Sequence, residues 1–297
     1  MRLTRSRKTA PFRFLDLSPE IRNIIYAFVF AGDNTIHVNS DQTAGRTSIT
    51  HSICCARQPD NSVATAYRAA TEDKEVPCYA RRHRRCVWRG GDRNPTNLDL
   101  KLDLSILLVC RQVYQEAVLM PFAANTFAFD SVPAMSDLLL YLTKEQGQSI
   151  GSITLSCDVS NVPTTLVTKL KGLKSLTVFH EFDFNYDNAL DFPLLDGAQG
   201  KGHKARDAWL GGLFKFERLP LEKVTCCFYS GHQQAAAIAL YNVLRYPTLM
   251  PGMFNPISKI VEERLLREWT GGKKSRRREL WRTSTLYLEK CAEDEQA

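Results

Sequence analysis

Six side chains between positions 51 and 86 have the chemistry to hold a metal: His51, Cys54, Cys55, Cys78, His83 and Cys86. Thiolate and imidazole ligands suit tetrahedral zinc, and His51-x-x-Cys54 and His83-x-x-Cys86 have plausible short spacings. A zinc ribbon normally shows two clean paired knuckles, whereas these six are unevenly spaced in a poorly patterned stretch. They therefore read as ordinary loop cysteines, and neither a metal nor a cofactor is expected. The run from Asp183 to Asp191 places oxygen-bearing side chains as a calcium loop does. It then has Asn188 in place of the turn glycine and Leu194 in place of the bidentate glutamate, so it reads as a solvated acidic loop. No Gly-x-Ser-x-Gly elbow, catalytic cysteine signature or phosphate loop is present. His232 stands alone ahead of an alanine-rich helix. No catalytic residue is assigned.

Charge is unevenly placed. Segments 1–13, 81–93 and 270–282 each carry a net +5, so against a whole-chain charge of +7 the remainder is net −8. A nucleic-acid-binding surface usually spreads its charge over a folded face, and here a mildly acidic body wears basic tags. Lys273, Lys274, Arg276, Arg277 and Arg278 form a candidate nuclear signal. The arginines at 81, 82, 84 and 85, with Trp88 beside them, offer a second basic run with one stacking surface.

The elements that position these groups follow from patterning. The hydrophobic fraction is 44% and the charged fraction 24%, as in folded chains. No stretch approaches the roughly 20 apolar residues that cross a bilayer, so no membrane partner is expected. Residues 1–10 lack the apolar centre of a secretion signal, and nine scattered cysteines suit a reducing compartment. An intracellular location, nucleus or cytoplasm, is expected. Ser18 as N-cap, Pro19 in the first turn and Glu20 against the dipole predict a helix to about residue 30. Its apolar positions Ile21, Ile24, Ile25, Phe28 and Val29 recur at helical spacing and form a face built for burial. Residues 35–38 and 48–53 read as strands of a hairpin inserted at about 35–100, with much of 57–97 mobile. A broad stripe from Leu104 through Ile106, Leu107, Val109, Cys110, Val113, Tyr114, Ala117 and Val118 predicts a core helix ending at Pro121.

Beyond it, strands are expected at 125–129, 152–156, 175–179 and 223–228. Helices are expected after Ser131, at 164–170, 206–216, 233–244, 257–269 and 279–291. The alternation predicts a parallel or mixed sheet. Residues 169–178 are similar to one turn of a leucine-rich repeat, without a sustained period.

Two ordered segments carry a resemblance. The run from Phe14 to Tyr26, Phe-Leu-Asp-Leu-Ser-Pro-Glu-Ile-Arg-Asn-Ile-Ile-Tyr, resembles the "LPxEIRNxIY" opening of a group of uncharacterised filamentous-fungal F-box-like proteins. Leu107 to Ala117, followed by Asn125 to Phe129, is similar to that group's "CRQIYxEA … NTFxF" signature. A true F-box keeps its two segments close together, whereas about ninety residues separate Leu17 from Cys110 here, and Tyr114 stands where the F-box pattern has tryptophan. The resemblance implies a helix that docks on a Skp1-type adaptor, with Leu15, Leu17, Pro19, Ile21, Ile24 and Ile25 as partner-binding residues and the C-terminal part recruiting a target. The alternative for the same apolar residues is core packing against the helix at 104–118.

The expectation is an α+β protein. Its parts are a basic tail at 1–13, an F-box-like helical domain with a β-hairpin insertion at 14–145, a repeat-like α/β part at 146–256, and C-terminal helices with a basic linker at 257–297. The expected role is non-catalytic protein–protein interaction, as a substrate-recruiting adaptor for ubiquitin ligation. The alternative is a nuclear protein contacting nucleic acid through its basic segments.

Overall fold

The structure is a computed structural model that describes residues 12–30, 34–43, 46–56, 60, 62, 63, 79, 83, 86, 102–182, 211–230 and 255–266. Its centre is a six-stranded mixed sheet in the order β2-β1-β3-β4-β5-β6, and helices complete an α+β fold. Strands β1 (Thr35–Thr43) and β2 (Arg46–Ile53) pair antiparallel as a hairpin, with Ile36 opposite Ile53. β1 then pairs in parallel with β3 (Thr126–Phe129), followed by β4 (Ser152–Leu155), β5 (Ser175–Phe182) and β6 (Lys223–Ser230). The hairpin is therefore no appendage, since its first strand lies inside the sheet.

After β1 each parallel strand is laid beside the one before it, as in a solenoid. Thr126, Ser152 and Ser175 are register partners across β3, β4 and β5 and lie 26 and 23 residues apart in sequence. The register steps are similar in length across β3, β4 and β5, and the step to Lys223 in β6 is longer.

Alternation divides the sheet's two faces. Ile36, Phe127, Ile153, Leu176 and Val224 share one face and head the main core. Covering them are α4 (Val132–Tyr141), α6 (Thr164–Lys169) and α7 (Asn255–Leu266), which contribute Met135, Leu139, Leu166, Val167, Val261 and Leu265. The opposite face carries the register row His37, Ala128, Thr154, Thr177 and Thr225, all buried. Glu262 of α7 accepts the amide proton of Cys226 at 2.6 Å, helping to close the β6 edge.

A second, smaller cluster gathers the helices before β3. α1 (Pro19–Phe30) packs against the 3-10 turn Ser105–Leu108, α2 (Arg111–Ala117) and α3 (Met120–Ala123) through Tyr26, Phe30, Leu107, Val113 and Ala117. The single core helix expected from 104 is broken, because Cys110 takes an extended backbone at φ −163°, ψ 166°. The break leaves Leu107 inward and turns Leu108 and Val109 out. Between α4 and β4 lies α5 (Lys144–Ser149), absent from the sequence expectation although Thr143 and Gln146 form a capping box.

What fixes α1 is polar. Arg22 is buried and grips Glu116 of α2 with two parallel bonds, Nη2 to Oε1 at 2.7 Å and Nε to Oε2 at 2.9 Å. Tyr26 donates its hydroxyl proton to Oε2 of the same carboxylate at 2.9 Å. The remaining guanidinium nitrogen donates to the carbonyls of Leu15 and Leu17, holding the turn that leads into α1. At the other end, Asn125 donates to the carbonyls of Phe30 and Pro121 at 2.6 and 2.8 Å, tying the last residue of α1 to the start of β3.

Two chain crossings allow no side chain. A Cβ on Gly172 would lie 1.9 Å from the Gln148 carbonyl oxygen, and one on Gly212 would lie 1.8 Å from that of Val159. Gly172→Ala and Gly212→Ala should each lower unfolding free energy by at least about 1–3 kcal/mol. Gly211→Ala, whose Cβ meets nothing within 4 Å, should leave it unchanged or slightly raised; urea titration of the three variants checks this.

The polar clamp also has a pH signature. The Arg22 guanidinium, aided by Gln112 and Tyr26, holds the Glu116 carboxyl down from 4.5 to about 2. Because the folded value is the lower one, the stabilisation is full above the unfolded value and is lost as pH falls from about 4.5 to about 2. Glu116→Gln should lower the urea midpoint at neutral pH and flatten its fall over that acid range; an unchanged acid slope would show that the clamp contributes nothing.

Candidate functional site

Two features stand out as sites: the outer face of the helical cluster, and a group of cysteine and histidine side chains at the hairpin end.

On α1, residues 22, 26 and 30 recur at i+4 and face the small core, which leaves Ile21, Ile24 and Phe28 on the opposite side. Ile24 is 64% exposed and Phe28 89%. This overturns the expectation that the stripe of Ile21, Ile24, Ile25, Phe28 and Val29 is built for burial. The cause is Arg22: its charge must be paired out of water, and rotating α1 to bury Ile24 would pull Arg22 from Glu116. Leu15 and Pro19 are also exposed, while Leu17 and Ile25 are half-buried. Leu108 and Val109, from the turn before α2, add apolar surface at 85% and 70% exposure.

The hairpin end brings together four metal-ligating side chains: a ligand atom from each of His37, Cys54, His83 and Cys86 lies within 4.8 Å of the others. His37 stands in β1 opposite Ser52 of β2, and alternation puts Ser52 and Cys54 on its face. His83 and Cys86 are both helical and three residues apart, one turn on one face. Ser52 ties the halves by donating its hydroxyl proton to the Cys86 carbonyl at 2.8 Å.

Within the group, Cys54 Sγ lies 3.3 Å from His83 Nδ1 and 4.0 Å from Cys86 Sγ. Each sulfur accepts a backbone amide proton, Cys54 from Ala56 at 3.3 Å and Cys86 from Cys55 at 3.4 Å. The hydrogen bond with Cys86 lowers the Cys54 thiol from its ordinary value against the opposing effect of burial. His83 Nε2 meets the Asp60 carboxylate at 2.8 Å, both side chains almost wholly buried. His37 is 2% exposed, and its Nε2 is buried without a hydrogen-bond partner among the described residues.

Sequence reasoning named Cys54, His83 and Cys86 and missed His37, whose signal is a polar residue alternating with Ile36 and Val38 in a strand. It also named His51, which pairs with Val38 and so stands on the other face of β2. Cys55 is exposed, with its sulfur 3.4 Å from that of Cys86. Cys78 lies outside the described residues. Within 57–97, where much of the segment is expected to be mobile, Asp60, Val63, Tyr79 and His83 are buried, and most of the other positions lie outside the described residues. Tyr79 lies against Phe179 of β5, ring centroids 5.1 Å apart, on the sheet face that carries His37.

A cavity of about 640 Å³ opens at the C-terminal ends of β3 and β4, lined by Asp130, Asp137, Cys157 and Asp158 among others. Burial, then the Asp130 and Asp158 carboxylates, push the Cys157 thiol up to about 12, so it stays protonated. None of the lining residues is a histidine, lysine or tyrosine. The cavity's ionisable lining is three carboxylates and one protonated thiol, and burial raises the Asp130 carboxyl above its ordinary value.

The arginines at 81, 82, 84 and 85, the basic run at 273–278, the acidic loop at 183–191 and His232 lie outside the described residues. Among the described residues no helix is long and apolar enough to cross a membrane.

No curated protein and no solved structure matches the chain. Residues 5–180 match a family model described as a domain of unknown function, DUF7730, a span that includes α1, the clamp, and all four clustered cysteine and histidine residues. The chain belongs to the DUF7730 family.

Proposed function

We propose that the chain is a non-catalytic protein-binding module whose docking element is the outer face of α1. Its partner is a Skp1-type adaptor, which would make the chain a substrate-recruiting subunit in ubiquitin ligation, in the cytoplasm or the nucleus. One observation carries the reading: Ile24 and Phe28, one turn apart, project large apolar side chains into solvent from a helix already anchored on its other side. Isolated exposed hydrophobes need no explanation, but aligned ones on a held helix suit the helix-in-groove mode of recognition. The F-box-like resemblance of the segments around α1 and α2 supplies the class of partner.

Burying Ile24 and Phe28 against a partner would contribute about 1.5–3 kcal/mol each. The double substitution Ile24→Asp, Phe28→Asp should therefore weaken adaptor binding by about a hundredfold or more, with the unfolding midpoint little changed because neither side chain packs on the core. Isothermal titration of a purified Skp1-type protein into the wild-type chain and the double variant measures this. Absence of binding by the wild type at micromolar concentration ends the adaptor assignment.

A further inference from the structure

The cysteine and histidine group at the hairpin end has a geometry that a set of loop side chains does not need. We propose that His37, Cys54, His83 and Cys86 bind one zinc ion in a closed tetrahedral site that fastens the segment bearing His83 and Cys86 to the β1–β2 hairpin. This assignment departs from the expectation of ordinary loop cysteines and stands independently of the docking proposal.

Four observations converge. The first is spacing. Zinc–sulfur and zinc–nitrogen bonds of about 2.3 and 2.0 Å at tetrahedral angles hold two sulfurs about 3.8 Å apart and a sulfur and a nitrogen about 3.5 Å apart. The separations here are 4.0 Å between Cys54 and Cys86 and 3.3 Å between Cys54 and His83.

The second is the direction of the hydrogen bonds around the ligands. Both sulfurs accept backbone amide protons, the arrangement that stabilises a thiolate. His83 gives its Nε2 proton to Asp60, which leaves the Nδ1 lone pair aimed at the Cys54 sulfur. A lone pair facing a thiolate at van der Waals distance or less is stable only with a proton or a cation between them. The carboxylate behind a ligating imidazole is the outer-shell partner that fixes the tautomer and raises the ring's basicity.

The third is His37. Its Nε2 is buried without a hydrogen-bond partner among the described residues, which is costly in a folded protein, and a metal bond would remove the deficit. The fourth is the ligand set itself. Two thiolates and two imidazoles suit zinc and disfavour calcium or magnesium, and four protein ligands leave no open position, as in structural and not catalytic sites. Cys55 is the competitor. It is exposed, and it donates its backbone amide to the Cys86 sulfur, the role of a residue beside a ligand.

The test uses the full chain, produced without a histidine tag and kept reduced. Elemental analysis should find one zinc per chain, and X-ray absorption on the wild type should find two sulfur and two nitrogen neighbours. Substitution with Co²⁺ should give the visible absorption of a tetrahedral thiolate site. Cys54→Ser and Cys86→Ser should lose the stoichiometric metal, whereas Cys55→Ser should keep it, and Asp60→Asn should weaken zinc binding about ten- to a hundredfold. A wild-type chain that retains no zinc after refolding with Zn²⁺ overturns the proposal. So does a shell of different composition, or loss of zinc in Cys55→Ser with retention in Cys86→Ser. Because the absorption measurement is made on the unmutated chain, a variant that fails to fold cannot decide the matter.

Discussion

The bidentate bond between Arg22 and Glu116 decides how α1 sits, and much of the surface follows from it. Arg22 occupies the side of the helix that faces Leu107, Val113 and Ala117. A guanidinium there needs a carboxylate with both oxygens presented, and Glu116 presents them from α2 while also accepting from Tyr26 and Gln112. Turning the helix by a third of a revolution would bury Ile24 and gain hydrophobic energy. It would also break the bidentate pair and the Tyr26 hydrogen bond to the same carboxylate, and charge-assisted bonds of that kind are the strong ones. The clamp thus sets an apolar stripe toward solvent. Arg22 and Tyr26 come from one of the two segments with F-box-like resemblance, and Glu116 and Asn125 from the other. Those segments therefore describe a mechanical tie between distant parts of the chain, whatever else they do.

The sheet solves a different problem. Parallel strands, with helical returns between β3 and β4 and between β4 and β5, bury one face under α4, α6 and α7, and that face reads in the sequence as Ile, Phe, Leu and Val at alternate positions. The second face is built from smaller and more polar residues, with His37, Thr154, Thr177 and Thr225 in one register row. Cover comes in part from residues on the segment between β2 and α2, among them Tyr79 and His83.

Legibility in the sequence tracks how local the determining interaction is. β3, β4, β5 and β6 were readable because β-branched and aromatic residues alternate between turn signals, and α1 because Ser18, Pro19 and Glu20 announce a start. The face α1 buries was not readable, since a hydrophobic stripe says only which side is apolar. The side that turned inward was chosen by Glu116, 94 residues from Arg22. The break at Cys110 escaped for a similar reason: the apolar stripe runs through it, and nothing in Leu-Val-Cys-Arg marks an extended residue. In the cysteine–histidine group, the His83-x-x-Cys86 pair is a local helical spacing and was noticed. His37 reaches the group only through the antiparallel register of β1 and β2, which no spacing along the chain reveals.

The cross-link and the weakly patterned segment explain one another. A stretch rich in arginine and poor in apolar periodicity contributes little hydrophobic energy to hold itself against a sheet; Val63 and Tyr79 are its buried apolar residues among those described. Two such side chains supply only a few kcal/mol by burial, less than the entropy of ordering even several residues of chain at about 1–2 kcal/mol each. An ion held jointly by the hairpin and by one helical turn adds a binding energy that only the folded arrangement can use, and it places that energy where apolar contact is scarce. With such a fastening the segment is free to carry charge in its sequence while Tyr79 and His83 lie on the His37 face of the sheet. Without it, Nε2 of His37 would stay buried with no hydrogen-bond partner among the described residues, a cost that the ion removes.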